Sequence, residues 1–489
     1  MKIAILSSAS AGGAGIAAFR IYEALSEFTE HDVDFFDIST LGQVDPEVSP
    51  NYSATNQRIT NTHFTVDYGS DVRQWVIDLL SEYDVLNVQW ASYLISLAEI
   101  YELARIGKKI VFTLHDFYYL TGGCHYPAGC SGFLNDCIGC PQVDERKCAQ
   151  KDVVGAKRLK KNIFEFNNVH LSAPSQFIVD NAIAAGIVPR ERAHVLRNAY
   201  QPICHVENAG QRDKRSILLI ADSFDEQRKG LALAVDALKL ASEDLVGLTP
   251  SIILHLVGGL DETVLERLNG TGIQVITHGH VKEHEKLVRI FMRCQYILSC
   301  SYEDNWPNIL VEAGSYGCIP IVGRWHGCEE FVAEFSCGYV ASNYSPEAFS
   351  SVLVRAVGDK IVPTVDTLNE YVLSVRGDHL PVKVSQQYIE IFNVIGNSLD
   401  GQDFREVEGL GKCFSSNYIF TIDISGERCV IFPNEDRLRF EVVPSPFGPI
   451  QWSTDRFLGL SGKECFEQLL SGESDRSYGL ARLKIRSFK

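Results

Sequence analysis

The sequence has no run of the ~18–20 apolar residues that a bilayer-spanning helix requires, which excludes an integral membrane protein of the helical kind. Positive charge is in short supply. The 45 Lys and Arg face 62 Asp and Glu, a net −17, so a nucleic-acid surface does not dominate the molecule. A secretory leader is also wanting: the N-terminal MKIAILSSASAGGAGIAA carries a Lys and small residues, but its apolar core is only Ile3–Leu6, which suits a first strand better. The glycines that follow do not complete the G-x-G-x-x-G spacing of a dinucleotide site, so no NAD is inferred. These absences lead to the expectation of a cytoplasmic globular chain. Its 14 cysteines are then reduced thiols or metal ligands rather than structural disulfides. At 489 residues, 45% hydrophobic and 22% charged, the chain has room for two or three domains with substantial cores.

What is present is an alternation of short apolar strands and amphipathic helices, the pattern of doubly wound α/β domains. Lys2–Ser7 reads as a strand, and Ser8–Gly15 as a Gly-rich turn into a helix whose core face is expected to be Ile16, Phe19, Ile21, Leu25 and Phe28. Such a turn builds a backbone-lined pocket in which Gly12 and Gly13 would approach a ligand. Asp84–Gln89 and Lys109–Leu114 read as further strands, the latter running into His115-Asp116 at a carboxyl end. The alternation restarts at Ser216–Ala221. Arg228-Lys229-Gly230 follows at a helix start, where both cations can pair with diphosphate oxygens. Gly279-His280-Val281 would border a base.

The densest pattern is SCSYEDNWPNILVEAGSYGCIPIVG. A buried strand ends in an acidic turn, Pro307 suits the first turn of a helix, and Cys318–Gly323 is the next buried strand. Ligands of open parallel sheets sit over the carboxyl ends of strands and over helix N-termini. Asp304 on the loop and Glu312 in the helix can therefore face one ligand, Glu312 accepting from ribose hydroxyls. Glu303, Asn305, Asn308 and Ile309 would line the same place.

Two further stretches stand apart. TGGCHYPAGCSGFLNDCIGCPQ places Cys124, Cys130, Cys137 and Cys140 within a short Gly-rich insertion (121–148), with His125 adjacent and Cys148 beyond. A structural Zn²⁺ is one reading; redox-active disulfides and unliganded thiols are the others. On a helix over 151–167, Lys157, Arg158, Lys160 and Lys161 read as a solvated basic face, or as a contact for anionic lipid at the inner face of a membrane. The tail beyond 399 reads as an appended β-rich module.

In the order Gly loop, His115-Asp116, Lys229-Gly230 and Asp304-x7-Glu312, the first ~395 residues resemble the retaining GT-B glycosyltransferases, the family of sucrose synthases and bacterial polysaccharide and lipopolysaccharide transferases. The usual first acid is Glu; here Asp304 takes that position, or Glu303 with a one-residue shift. The resemblance implies two Rossmann-like domains facing a cleft: 1–200 on the acceptor side and 201–382 for the nucleotide sugar, with a cross-over helix at 383–398. It places His115 against the transferred sugar and its phosphates, needs no catalytic metal, and puts a Cys-bearing insertion after His-Asp in a subset of members. It also implies a nucleotide-diphosphate-sugar donor and a polysaccharide or lipid-linked oligosaccharide acceptor. A GT-B sugar-nucleotide epimerase and a catalytically weak nucleotide-sugar-binding protein are the competing functions.

Overall fold

The computed structural model describes residues 1–42, 64–67, 72–143, 150–203, 212–221, 227–245, 247, 251–259, 262–358 and 364–395, and three strands between 420 and 442. In the first unit, β1 (Lys2–Leu6), β2 (Asp32–Phe36), β3 (Val85–Val88), β4 (Lys109–Thr113), β5 (Val169–Ala173) and β6 (Ala193–Val195) form an all-parallel sheet in the order β2-β1-β3-β4-β5-β6. Their crossovers contain α1 (Gly12–Phe28), α2 (Ile38–Leu41), α3 (Gln74–Leu80), α4 (Leu97–Arg105), α5 (Gln150–Glu165) and α6 (Gln176–Ala184).

The second unit repeats the plan. Here β7 (Asp213–Ala221), β8 (Ile253–Gly258), β9 (Gln274–Thr277), β10 (Cys294–Ser299), β11 (Ile319–Val322) and β12 (Tyr339–Val340) pair in parallel in the order β12-β11-β10-β7-β8-β9. Its helices are α7 (Leu231–Asp244), α8 (Glu262–Leu268), α9 (His284–Arg293), α10 (Asn308–Gly314), α11 (Gly327–Phe335), α12 (Pro346–Gly358) and α13 (Val365–His379). Strands covered on both faces read as continuous apolar runs, and β3, β5 and β11 are buried at every position.

The chain then returns. Pro381, at the first turn of α14 (Pro381–Val394), presets its backbone for helix. Val384, Tyr388, Ile391 and Phe392 pack with Ile3, Ile5, Ile21 and Leu25 of the first unit. The apolar periodicity of that segment is thus a docking face. The face expected of α1 is different: Ile16, Phe19 and Phe28 are exposed, while Gly15, Ala17, Ala18, Ile21, Ala24 and Leu25 are buried. Small residues let α1 approach α14 closely, so its buried stripe runs through alanines rather than through the bulkiest side chains.

The basic helix is also not a solvated face. Lys157 and Lys160 of α5 are fully buried, leaving Arg158 and Lys161, which face Asp136 at 3.6 and 3.5 Å. The lysine heads reach carbonyl oxygens. Lys157 Nζ donates to Leu120 O at 2.6 Å, and Lys160 Nζ to Tyr118 O at 2.6 Å and Thr121 O at 3.1 Å. They secure the turn that follows His115-Asp116. A lipid-binding cluster is therefore not assembled on this helix.

No helix among the described residues is long and apolar enough to cross a membrane. Beyond α14, β13 (Phe420–Ile424), β14 (Glu427–Asn434) and β15 (Arg437–Val442) pair antiparallel; the rest of the expected β-rich module lies outside the described residues.

Candidate active site at the two switch points

A doubly wound sheet has one place where successive crossovers depart to opposite sides, and ligands bind there at the carboxyl ends. In the second unit it falls between β7 and β10, because β8 lies on one side of β7 and β10 on the other. The chain leaving β7 delivers Arg228 and Lys229, and the chain leaving β10 delivers Glu303, Asp304 and Asn305. Gly230 permits this convergence: its φ is +68°, and a Cβ there would press into the Cys300 carbonyl.

Lys229 Nζ donates to Asp304 Oδ2 at 2.7 Å, and Arg228 lies 3.5 Å from the same oxygen while donating to Glu303 O at 2.7 Å. Burial works to raise the Asp304 pKa, but Lys229 and Arg228 outweigh it and hold the carboxyl below the ordinary value. Two cations thus converge on one carboxylate. Lys229, Ser301, Asp304, Pro307 and Ile309 line a pocket at this point.

In the first unit the switch lies between β1 and β3. Gly12 has φ +74° and, like Gly13, has open space where a Cβ would be. The two switch points meet. Asn308 Nδ2 donates to Gly13 O at 2.9 Å, and Arg20 of α1 donates to Glu312 Oε1 at 2.7 Å. Ala128 N of the Cys-bearing insertion donates to Glu303 Oε2 at 2.8 Å, and the Arg228 guanidinium lies 3.8 Å from the centroid of the Tyr126 ring. Asn305 bridges the units, donating to Leu114 O at 2.9 Å and accepting from the Ser175 hydroxyl. Of the three acids, Asp304 is thus held within its own unit while Glu303 and Glu312 are held across the cleft.

His115 follows β4 at the mouth of this cleft, part-buried, its Nε2 at 2.6 Å from Gln89 Oε1. Asp116 does not orient it: that carboxylate accepts from His125 Nδ1 at 2.6 Å, from Trp90 Nε1 at 2.9 Å and from Tyr118 N at 2.8 Å. Desolvation, the largest influence, raises the Asp116 pKa, but His125, the Tyr118 N–H and His115 together bring it below the ordinary value.

The insertion's thiols give the zinc reading no support. Cys124 and Cys137 are buried, Cys130 and Cys140 partly so, and all four are free thiols. Among the described residues no group of three or more His, Cys, Asp or Glu is arranged to hold a metal ion. The sulfurs have other partners. Gly122 N donates to Cys137 Sγ at 3.2 Å, Gly132 N to Cys130 Sγ at 3.3 Å, and Cys124 hydrogen-bonds to Cys140, pulling the latter thiol down to about 7. His125 is committed to Asp116, and Cys148 lies outside the described residues.

Several residues at the cleft escaped notice in the sequence. Arg20 carried a signal, being the first charge in a helix that opens with eight small or apolar residues. Gln89, Trp90, Tyr126 and Ser175 carried none, because their partners are distant in the chain.

Two parallel Rossmann-like sheets whose switch points face across a cleft define the GT-B architecture. Residues 205–371 match the family model described as Glycosyl transferases group 1. The chain is a glycosyltransferase enzyme, its second unit of the group 1 kind. It is 23% identical over 300 residues to the putative colanic acid biosynthesis glycosyl transferase WcaC of Escherichia coli, covering 58% of this chain and 68% of that one. Among solved structures, HepE of Anabaena in complex with UDP superposes with a TM-score of 0.52 at 15% identity, over 80% of this chain and all of the other. Sucrose-phosphate synthase of Thermosynechococcus elongatus does so with 0.50 at 15% identity, over 80% and 98%. At such identities the two structures establish the fold alone.

Proposed function

We propose that the protein is a retaining glycosyltransferase that moves a sugar from a UDP-sugar to a polysaccharide or lipid-linked oligosaccharide acceptor. The observation that carries this reading is the Arg228–Lys229–Asp304 cluster at the second unit's switch point, facing Glu312 and the Gly12-Gly13 loop. Arg228 and Lys229 meet the diphosphate and stabilise the charge that develops on it as the sugar leaves. Asp304 fixes the lysine in place. Glu312, through the oxygen that Arg20 does not occupy, accepts from ribose hydroxyls, and His115 stands on the opposite wall beside the sugar. UDP as the nucleotide carrier is supported by the fold of HepE, solved in complex with UDP, and a polysaccharide acceptor by the likeness to a putative colanic acid biosynthesis glycosyl transferase. The test is a thermal-shift and calorimetric screen of UDP-, GDP- and ADP-sugars, followed by transfer assays on extracted lipid-linked glycans. Binding of a UDP-sugar with acceptor-dependent release of UDP is the expected result. Turnover of the sugar without any acceptor would indicate an epimerase, and binding without turnover a donor-binding protein; either outcome defeats the proposal.

A further inference from the structure

His115 is the terminus of a buried hydrogen-bonded chain whose polarity is set at its far end. Asn87 of β3 is fully buried, and its Nδ2 lies 2.9 Å from the Val111 carbonyl and 2.9 Å from Thr113 Oγ1. A backbone carbonyl only accepts, so the amide nitrogen of Asn87 must point at it. The Asn87 oxygen is then left to accept from Gln89 Nε2, 2.5 Å away. That in turn leaves Gln89 Oε1 as the atom facing His115 Nε2 at 2.6 Å. An amide oxygen only accepts, so Nε2 carries the hydrogen.

The remaining links brace this chain against the strand ends. Thr113 Oγ1 meets Ser172 Oγ at 2.9 Å and the Tyr388 hydroxyl of α14 at 3.0 Å, and Asn87, Gln89, Thr113, Ser172 and Tyr388 are all buried. Burial holds the His115 ring down to about 4, so at neutral pH it is uncharged. The ring's hydrogen bond among the described residues uses Nε2, which leaves Nδ1, a lone-pair acceptor, for a ligand.

From this chain we infer that Asn87 and Gln89 are positioning residues that lock His115 as the Nε2–H tautomer, so that Nδ1 reads a hydroxyl of the donor sugar and not the diphosphate. A bare nitrogen beside phosphate oxygens sets acceptor against acceptor, whereas a sugar hydroxyl supplies the missing hydrogen. This revises the expectation that His115 serves both sugar and phosphates. It rests on the donor-site reading above, and deepens it to a specificity element.

The full chain, labelled with 15N-histidine and free of ligand, gives the first test. Long-range proton–nitrogen correlation, assigned with His115→Gln, is expected to show a protonated Nε2 and a bare Nδ1. A protonated Nδ1 overturns the inference. Gln89→Met, isosteric in length but without the amide, is expected to yield a mixture of tautomers in a protein of unchanged circular dichroism; an unaltered tautomer removes Gln89 from its role. Calorimetry supplies the second arm. His115→Ala is expected to keep UDP affinity and lose about tenfold for UDP-glucose, the size of one neutral hydrogen bond. Equal losses for both ligands overturn the hydroxyl assignment. Should the parent bind neither, the donor-site reading falls while the tautomer measurement still decides the lock.

Discussion

Lys229 and Asp304 each serve as the other's counterion, with Lys229 about one-third exposed and Asp304 one-tenth. Removing the lysine therefore does two things: it deletes a diphosphate contact and strips a buried carboxylate of one of its two cations. Lys229→Ala is expected to lower kcat/KM for transfer by ~1.5–3 kcal/mol, roughly ten- to hundredfold, with the fold intact by circular dichroism. Glu312→Gln should show a similar loss, since the neutral amide accepts more weakly from ribose. Parental turnover in either variant would remove that residue from the donor site. Lys160 offers a contrast away from the chemistry. Its head satisfies two carbonyls and stands 3.6 Å from the centroid of the Tyr118 ring. Lys160→Met should cost ~1–3 kcal/mol of stability in urea, the penalty for carbonyls left unpaired; a solvent-facing lysine would cost almost nothing.

Among the elements, the buried face of α14 was legible, whereas that of α1 was legible only at Ile21 and Leu25, for a physical reason. Tyr388, Ile391, Phe392 and Ile395 are large, and their helical spacing marks a buried face directly. The buried side of α1 is built of alanines, so weighing positions by bulk selects Ile16, Phe19 and Phe28, which turn outward. Buried lysines misled in the same way, since long apolar stems with a charged head read as surface until a carbonyl partner is seen. The parallel strands and the loops after β7 and β10 were readable because apolar runs and glycine punctuation are local. Which acid pairs with which cation was not, because that depends on two chain segments some seventy residues apart converging on one strand end. Two substitutions test the elements. Phe392→Ala should destabilise by ~3–5 kcal/mol through the cavity left against β1 and α1, seen as a lower denaturant midpoint. Gly327→Ala, at the start of α11, would drive a methyl into the Asn305 carbonyl. It should displace the Asp304 loop and abolish donor binding, and an unimpaired variant would show that this close approach is dispensable.

Across the described residues, burial suppresses the protonation of several imidazoles, and His115, His170, His255 and His379 are each lowered to about 4 with desolvation the leading cause. In the unfolded chain the same rings titrate near ~6.5. Between about pH 4 and 6.5 the unfolded state therefore binds more protons, and stability rises with pH across that window. A denaturant midpoint no lower at pH 5 than at pH 7 would contradict that balance. The return of α14 to the first unit also has a consequence for synthesis. The sheet of residues 2–195 is finished early, yet the helix that seals its outer face emerges only after the whole second unit has been translated. At ~5–20 residues per second, the nascent chain holds an open apolar flank for on the order of ten to forty seconds. Emergence of α14, rather than emergence of the first half, is then the event that closes the amino-terminal core, and a transcript truncated before Pro381 should yield a chaperone client instead of a free-standing domain.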